Sequence, residues 1–198
     1  MSITQPSALP PPEDGPQCEL VLIRHAPVIG DGCVYGRRDL GADLADRTAL
    51  ARVAEAVPEP ARIVASPALR CVQTARALWP DLPIGTEPDF WEQDLGEWEG
   101  RPYAELPDLG PLPLEVLAAH RPPGGESFLD LCARVPRGLA PLSGRVTVLA
   151  HAGTIRAVLG LALEVPAAGL RFEIAPLSLT RVSFLSGGAV IHEVNRCV

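Results

Sequence analysis

The amino-acid sequence predicts a three-layer α/β/α domain with a mostly parallel central sheet. Short apolar runs alternate with helical patterns along the chain, and this alternation is typical of a parallel sheet covered by helices on both faces. Two runs, Glu19–Arg24 and Arg145–Ala150, are almost continuously apolar, as expected for strands buried on both sides. The 198 residues are enough for one such domain with a substantial core.

The chain begins with a segment that has little to bury. Residues 1–17 are rich in proline and polar side chains, so we expect a flexible extension, followed by a single domain at 18–198. The first strand is Glu19–Arg24. Glycines then recur through residues 26–43, and this spacing predicts a loop.

The next elements have clear start and stop signals. Ala45–Val57 carries apolar residues at helical spacing, and the proline that follows ends this helix. Ala61–Ala65 is a short predicted strand. Ser66 and Pro67 then predict the start of a helix that runs to about Leu78, because serine is a good cap and proline is favoured at the first helical position.

The middle of the chain is less regular. Residues 80–100 predict a strand and a loop, and residues 101–125, with six prolines, predict short helical pieces and loops. Glu126–Leu139 has the pattern of a helix, although Pro136 is expected to kink it or end it early.

Alternating elements return in the last third of the chain. Arg145–Ala150 is a buried strand, and Gly153–Leu163 is a helix that begins almost immediately after it. Leu177–Leu185 and Ala189–Val194 are joined by two glycines, so we expect a hairpin or two adjacent strands.

Composition and charge exclude several classes of protein. The formal net charge of −7 argues against a nucleic-acid-binding protein, which needs a basic face. All 17 basic residues are arginines, whose forked guanidinium suits phosphate or carboxylate. The five cysteines are scattered without a Cys-x-x-Cys pair, so neither a disulfide framework nor a zinc site is indicated.

The expected location is the cytoplasm. Free thiols fit a reducing compartment, and the first residues lack the charged and apolar regions of a signal peptide. No apolar run approaches the length of a membrane span. We therefore expect neither a membrane nor a nucleic-acid partner, and a homodimer remains an open alternative to a monomer.

A histidine follows each of two predicted buried strands. Arg24 and His25 come at the end of the first strand, and His151 directly follows Arg145–Ala150. Open α/β sheets bind ligands at the carboxyl ends of their strands. The two histidines and the arginine are therefore expected to share one site for an anion.

Phosphoryl chemistry needs the residue types that occur here. A phosphomonoester carries nearly two negative charges, which forked donors such as Arg24 and Arg70 can bind, with Arg37 or Arg156 as further candidates. A neutral imidazole can act as the nucleophile, and a carboxylic acid must protonate the leaving oxygen. Helix N-termini add backbone N–H donors, and two predicted helices begin beside these residues.

These residues resemble the motifs of the histidine phosphatase superfamily, also called the phosphoglycerate-mutase-like family. Six elements match in the family's order between residues 20 and 160, which is most of the chain. They are Arg24-His25-Ala26, Gly36-Arg37-Arg38-Asp39, the run from Ser66 to Ala75, Glu92 with the run from Leu95 to Gly100, Gly125-Glu126-Ser127, and the run from His151 to Arg156.

The resemblance implies a role for each matched residue. His25 would attack phosphorus and form a phosphohistidine, and Glu92 would protonate the leaving oxygen and then activate water. The phosphoryl oxygens would be bound by Arg24, Arg70 and His151. Further substrate contacts would come from Gly36, Arg37 and Ala152. Arginines and imidazoles would supply the positive charge, so the resemblance implies neither a metal nor another cofactor.

Three positions depart from the family's pattern. Ala26 and Ala152 replace glycines, and alanine is strained at any position that needs a positive φ. Asp31 stands where the family often has an asparagine. An acid there would repel phosphate unless it were protonated or turned away, so the asparagine's role is not carried over to this chain.

Chain length and motifs indicate a branch of the family. Glycolytic mutases carry long insertions that hold a second phosphate, whereas only about 24 residues separate Gly100 from Gly125, which favours a phosphatase. The motifs are most similar to those of α-ribazole phosphatases of cobalamin synthesis, which act on a small phosphorylated metabolite. A phosphohistidine-type phosphoprotein phosphatase, a mutase-type phosphotransferase and a non-catalytic phosphate-binding module are the alternatives.

Overall fold

A computed structural model of the chain describes residues 17–57 and 60–198. The predicted extension at 1–17 lies, apart from Gln17, outside these described residues. Six strands form one sheet in the order β3-β2-β4-β1-β5-β6. The strands are β1 (Cys18–Arg24), β2 (Ile63–Ala65), β3 (Ile84–Thr86), β4 (Gly144–Ala150), β5 (Leu179–Leu185) and β6 (Gly188–Arg196).

The sheet is mostly parallel, as the sequence predicts. β1 pairs with β4, β4 with β2 and β2 with β3, all in parallel, whereas β5 is antiparallel to both β1 and β6. The predicted hairpin of the last two strands is therefore confirmed. In the central pair Arg24 lies opposite Ala150, so the residues that follow the two strands emerge side by side.

Helices cover both faces of the sheet. One face carries α1 (Arg47–Ala56) and α2 (Leu69–Leu78), and the other carries α3 (Leu114–Ala119), α4 (Phe128–Leu139) and α5 (Ala152–Ala162). Successive residues of β1 alternate between these two layers. Leu20 and Leu22 pack into the core under α4 and α5, whereas Val21 and Ile23 pack into the core under α1 and α2. The predicted three-layer architecture is confirmed.

The start of α2 differs from the sequence prediction. The helix begins at Leu69 rather than at Pro67, and Ser66 does not cap it. A carboxylate oxygen of Asp39, in the loop between β1 and α1, accepts the hydrogen bond of the Leu69 amide at 2.6 Å instead. The hydroxyl of Ser66 faces His151. Arg70 still falls in the first turn of α2, as predicted.

Pro136 does not end α4 early. The helix begins with a capping box between Ser127 and Asp130 and continues through Pro136 to Leu139. A proline so close to the end of a helix removes only one backbone hydrogen bond. Val135 and Gly138 are buried on either side of it, and this packing holds the last turn in place.

The remaining connections are loops and short 3-10 turns, as predicted for residues 26–43 and 80–125. Three turns, Pro88–Phe90, Gly96–Trp98 and Tyr103–Glu105, lie in the second of these regions. A single bridge between Cys33 and Pro102 joins the two loop regions. Across residues 17–57 and 60–198, none of the helices has the length and apolar character needed to span a membrane.

Candidate active site

Two buried histidines meet at the edge of the sheet where β1 and β4 end. His25 directly follows β1 and His151 directly follows β4. The centroids of their rings lie 5.2 Å apart with the planes inclined by 67°. Both side chains are almost entirely removed from solvent, at 2% and 0% exposure. The register of two parallel strands thus brings together residues that are far apart in the sequence.

The hydrogen bonding of His25 leaves one ring nitrogen available. Its Nδ1 lies 2.6 Å from the carbonyl oxygen of Ala26, so Nδ1 carries the proton that this oxygen accepts. The lone pair of the neutral ring is then on Nε2. Burial is the main cause that lowers the pKa of His25 to about 3, and the charges of Arg70 and Arg24 lower it further, against the opposing effect of the Ala26 hydrogen bond. At neutral pH, the His25 imidazole is therefore uncharged.

Two arginines beside His25 have N–H groups that no atom of the described residues accepts. Arg70 is fully buried, and its Nη1 and Nη2 donate to the carbonyl oxygens of Arg38 (3.0 Å) and Gly36 (2.9 Å). Nη1 of Arg24 donates to the carbonyl of Ile174 at 2.6 Å. In both arginines the Nε is buried and has no partner among the described residues. Unsatisfied buried donors are costly, so these two favour an anion in the site.

His151 is held by contacts on three sides. Its Nε2 lies 2.8 Å from the Ser66 hydroxyl and 3.5 Å from the sulfur of Cys71. The ring of Trp91 stacks parallel to it, with 6.3 Å between centroids and 7° between planes. Burial, followed by the neighbouring His25 and Arg70, holds the pKa of His151 well below its ordinary value.

The carboxylate of Glu92 lies at the N-terminus of α5. One of its oxygens accepts the Gly153 amide at 3.3 Å, and the other accepts the Gln93 amide at 3.0 Å. The partial positive charge of a helix N-terminus favours an anion there. A Cβ at position 153 would overlap the same carboxylate, so the close approach requires glycine.

Several of these groups line a cleft of about 220 Å³. The predicted site residues that line it are Arg24, His25, Gly36, Glu92 and Ala152. Arg156, a further candidate for phosphate binding, also lines it. The other lining residues are Tyr35, Gln93, Leu95, Tyr103, Phe128, Gly153 and Leu170.

Arg70 and His151 do not line this cleft. Both are fully buried, and they adjoin its lining residues Gly36 and His25. Arg37 also lies outside the lining. Its guanidinium stacks on Trp91 at 5.6 Å, and its Nε donates to the carbonyl of Glu92 at 3.1 Å. Arg37 therefore contacts the segment that carries Glu92, and its predicted contact with substrate stays a prediction.

The departures from the family's pattern are accommodated without strain. Among the described residues, the only non-glycine residues with a positive φ are Glu164, Leu177 and Asn195, so neither Ala26 nor Ala152 is in the left-handed region. The carboxylate of Asp31 pairs with Arg38 at 2.7 Å, and this hydrogen bond lowers the pKa of Asp31. Asp31 is thus turned toward an arginine and not toward the cleft.

Two buried polar residues near the site, Thr74 and Arg134, were not assigned from the sequence. Thr74 accepts the amide of Ala26 at 3.0 Å and so holds the turn after β1. Arg134, on α4, is 7% exposed. A signal for Arg134 exists in the sequence, because it falls on the apolar face of its helix beside Leu131 and Val135. No group of three or more His, Cys, Asp or Glu suited to a metal ion occurs in the described part of the chain.

Comparison with known proteins identifies a matching family. The model of the histidine phosphatase superfamily (branch 1) matches residues 20–196. The bifunctional protein Rv2228c of Mycobacterium tuberculosis is 34% identical over 148 residues, which cover 65% of this chain and 38% of that protein. The chain therefore spans less than half of the length of the mycobacterial relatives that it matches.

Solved structures share the fold over nearly the whole chain. The mycobacterial glucosyl-3-phosphoglycerate phosphatase Rv2419c is 25% identical, with a TM-score of 0.76 and coverage of 89% of this chain and 98% of that one. The α-ribazole phosphatase of Shigella flexneri has a TM-score of 0.77 at 19% identity, with coverage of 91% and 97%. At that identity, the second likeness shows the fold alone.

Proposed function

The chain belongs to the histidine phosphatase superfamily, and we propose that it hydrolyses a small phosphomonoester through a phosphohistidine at His25. The observation that carries the proposal is the grouping of one neutral imidazole with two buried arginines. His25 has a free Nε2, and the Nε groups of Arg24 and Arg70 lack protein acceptors among the described residues. A phosphoryl group supplies both an electrophile for the first and acceptors for the others.

The first step transfers the phosphoryl group to the enzyme. Nε2 of His25 attacks phosphorus, the bond from phosphorus to the ester oxygen breaks, and Glu92 gives its proton to that oxygen. The hydrogen bond from Nδ1 to the Ala26 carbonyl stabilises the positive charge that develops on the ring. The products of this step are the free alcohol, a phosphohistidine and a Glu92 carboxylate.

The second step regenerates the enzyme. The Glu92 carboxylate takes a proton from water, whose oxygen attacks phosphorus while the bond from phosphorus to Nε2 of His25 breaks. Inorganic phosphate leaves, with His25 neutral and Glu92 protonated again. In both steps, the charge on the phosphoryl oxygens is stabilised by Arg24, Arg70 and His151, with contacts from Gly36 and Ala152 at the cleft.

Arg37 and Arg156 are assigned less direct parts in this scheme. Arg156 lines the cleft and adds positive charge beside the bound ester. Arg37 contacts the backbone of Glu92, so we assign its contribution to substrate binding through the shape of this segment. The arginine guanidinium groups carry the positive charge of the site, so the proposed mechanism uses no metal.

The substrate that we propose to test first is α-ribazole 5′-phosphate, an intermediate of cobalamin synthesis. The support is the likeness of the motifs to those of α-ribazole phosphatases. The glucosyl-3-phosphoglycerate phosphatase that shares the fold suggests glucosyl derivatives of phosphoglycerate as a second class. A cytoplasmic location agrees with the five free cysteines.

The shape of the cleft favours a small ester over a phosphoprotein. Glu92, Gln93, Leu95 and Tyr103, all from the long 90–125 segment, form part of its lining. A segment that lies against the phosphoryl site in this way restricts access for a folded protein substrate. We therefore keep the phosphoprotein phosphatase, the mutase and the non-catalytic module as the alternatives that the experiment must separate.

A screen of phosphate release tests the proposal. The substrates are α-ribazole 5′-phosphate, 3-phosphoglycerate, simple alkyl phosphates and a phosphohistidine peptide, each with the wild type and His25→Ala. Release that depends on His25 and favours α-ribazole 5′-phosphate supports both reaction and substrate, whereas broad release that depends on His25 supports only the reaction. Isomerisation of 3-phosphoglycerate without release supports the mutase. Phosphate binding without turnover supports the non-catalytic module.

A further inference from the structure

The segment that carries Glu92 has little regular structure of its own. A 3-10 turn at Pro88–Phe90 precedes it, and residues 91–95 belong to no helix or strand. A general acid must nevertheless lie within hydrogen-bond reach of the leaving oxygen. Contacts from other parts of the chain must therefore hold this segment in position.

Arg134, on α4, supplies two of these contacts. Its Nη1 donates to the carbonyl oxygen of Asp89 at 2.5 Å, and its Nη2 donates to the carbonyl oxygen of Glu92 at 2.9 Å. The two carbonyl groups are three residues apart, with Trp91 between them. One planar guanidinium thus fixes the backbone on both sides of the residue that stacks on His151.

Glu126 holds Arg134 in this orientation. Its carboxylate accepts Nη2 at 2.6 Å and Nε at 3.2 Å, which is a forked ion pair. The same carboxylate accepts the amide of Asp94 at 3.1 Å. The side-chain amide of Gln93 donates to the carbonyl of Glu126 at 2.8 Å. The ion pair is therefore bonded on both sides of Glu92 to residues 89–94, which we call the acid segment.

We propose that Arg134 is a positioning residue for the general acid: together with Glu126, it holds residues 89–94 so that the Glu92 carboxylate stays at the N-terminus of α5. The Nε, Nη1 and Nη2 of Arg134 all donate to protein acceptors, so we assign it an effect through Glu92 and no contact with substrate. The inference rests on the proposed function, in which Glu92 protonates the leaving oxygen.

A general structural role for the ion pair predicts a different result. Loss of packing would slow every substrate, because His25, Arg24 and Arg70 would be disturbed together with Glu92. In the first step, a misplaced acid slows only those esters whose leaving oxygen needs a proton, whereas the second step, in which Glu92 activates water, is common to every ester. The dependence of rate on the leaving group therefore separates the two roles.

The test measures kcat/KM, which reports the first step and not the hydrolysis of the phosphohistidine, for an alkyl phosphate and for p-nitrophenyl phosphate, whose leaving group hardly needs protonation. Arg134→Lys is the main variant, because lysine keeps a charge for Glu126 but cannot form the forked contacts. We expect kcat/KM on the alkyl phosphate to fall about 10- to 100-fold, and kcat/KM on the aryl phosphate to fall less than about threefold.

The double variant Arg134→Lys/Glu92→Gln shows whether Arg134 acts through Glu92. We expect it to be no slower on the alkyl phosphate than Glu92→Gln alone, since a residue that acts through Glu92 has no further effect once the acid is gone. Glu126→Gln keeps an acceptor but loses the charge, and it should repeat the pattern of Arg134→Lys.

Arg137→Lys is the matched control. Arg137 lies on the same helix, is exposed, and pairs with the Asp89 carboxylate at 2.8 Å instead of the Asp89 carbonyl. This variant should hydrolyse both esters at the wild-type rate. Thermal unfolding of all variants reports their stability separately from their leaving-group dependence.

Three results would overturn the inference while leaving the proposed function intact. They are equal losses on the two esters in Arg134→Lys, unchanged rates on both, and an additional loss in the double variant. If the wild type hydrolyses neither ester while it binds phosphate, the proposed function fails, and the inference fails with it.

Discussion

Glu92 and Gly153 are in direct contact, although 61 residues separate them in the sequence. The Gly153 amide donates to one carboxylate oxygen of Glu92 at 3.3 Å, and the other oxygen occupies the space that a side chain at position 153 would need. The contact joins the irregular acid segment to the first turn of α5. His151 is the N-cap residue of this helix. The position of the proposed acid thus depends on the absence of a single methyl group.

Gly153→Ala should therefore displace the carboxylate of Glu92. We expect kcat/KM, which reports the first step, to fall about 100-fold on an alkyl phosphate, with little change on p-nitrophenyl phosphate, because a displacement of about 1 Å is enough to disable proton transfer. Steady-state kinetics on the two esters check this. The control is Gly187→Ala, since a Cβ at Gly187 meets no atom within 4 Å. A wild-type rate on the alkyl ester in Gly153→Ala would contradict the placement of the acid.

His25 should carry the phosphoryl group during turnover. Rapid quenching of the wild type with a ³²P-labelled ester should give a protein-bound label that is lost in acid and kept in alkali, as expected for a phosphorus–nitrogen bond. His25→Ala should give no label. His192→Ala is the matched control, because His192 is exposed and its ring bonds, among the described residues, only to the Ser183 hydroxyl at 2.8 Å. Label that persists in His25→Ala would place the nucleophile elsewhere.

The buried state of His25 should make the protein less stable in acid. Folding lowers the pKa of His25 from 6.5 to about 3, so between these values the unfolded chain binds more protons than the folded protein. The free energy of unfolding therefore rises with pH across this window and is lost as the pH falls through it, by about 1.4 kcal/mol for each pH unit that is fully within the window.

Urea unfolding of the wild type and His25→Gln between pH 4 and pH 7 measures this effect. We expect a steeper dependence of the free energy of unfolding on pH in the wild type, since glutamine does not titrate. Carboxylates contribute equally to both proteins, so the difference between the two slopes isolates the histidine. Equal slopes would show that His25 binds a proton in the folded protein as readily as in the unfolded chain, and would contradict the lowered pKa.

Inorganic phosphate should stabilise the protein through the unpaired donors of the site. Binding to the folded state raises Tm by about 2–4 °C for each kcal/mol of binding free energy in a chain of this size. Arg70→Lys, which lacks the Nε donor, should reduce the shift to less than half. Arg76→Lys, an exposed position on the same helix, should keep the full shift. Potassium chloride at equal ionic strength controls for salt, and an undiminished shift in Arg70→Lys would contradict the assignment.

Chelation of metal ions should leave the phosphatase activity unchanged. In the proposed mechanism Arg24, Arg70 and the imidazoles stabilise the phosphoryl charge, so no step depends on a metal. The measurement is kcat/KM before and after dialysis against EDTA. Loss of activity that Mg²⁺, Mn²⁺ or Zn²⁺ restores would refute the metal-independent mechanism.

Most of the fold could be predicted from the sequence because its signals are local. The apolar strand before Arg24 and the one before His151 are recognisable residue by residue, and the parallel orientation of β1 and β4 follows from the alternation with helices. The predicted start of α2 was wrong because the prediction used local signals alone. Ser66 and Pro67 have the composition of a helix start, but the cap of α2 comes from Asp39, 30 residues away.

The chemical character of the site was decided by the sequence itself. A histidine after each of two buried strands, together with arginines and a carboxyl group, already predicts an anion site at the edge of a parallel sheet, because ligands bind where the carboxyl ends of the strands meet. The motifs add the family, which the match over residues 20–196 shows.

Only the tertiary structure decided the protonation and the position of these groups. The Ala26 carbonyl selects the tautomer of His25, Ser66 reaches His151 across 85 residues, and Arg134 reaches the acid segment across more than 40. Such contacts leave no periodic trace in the sequence, because each joins side chains or backbone groups from elements that become neighbours only when the layers pack. Residue types determine what the site can bind, whereas burial and long-range hydrogen bonds determine the protonation and the position of each group.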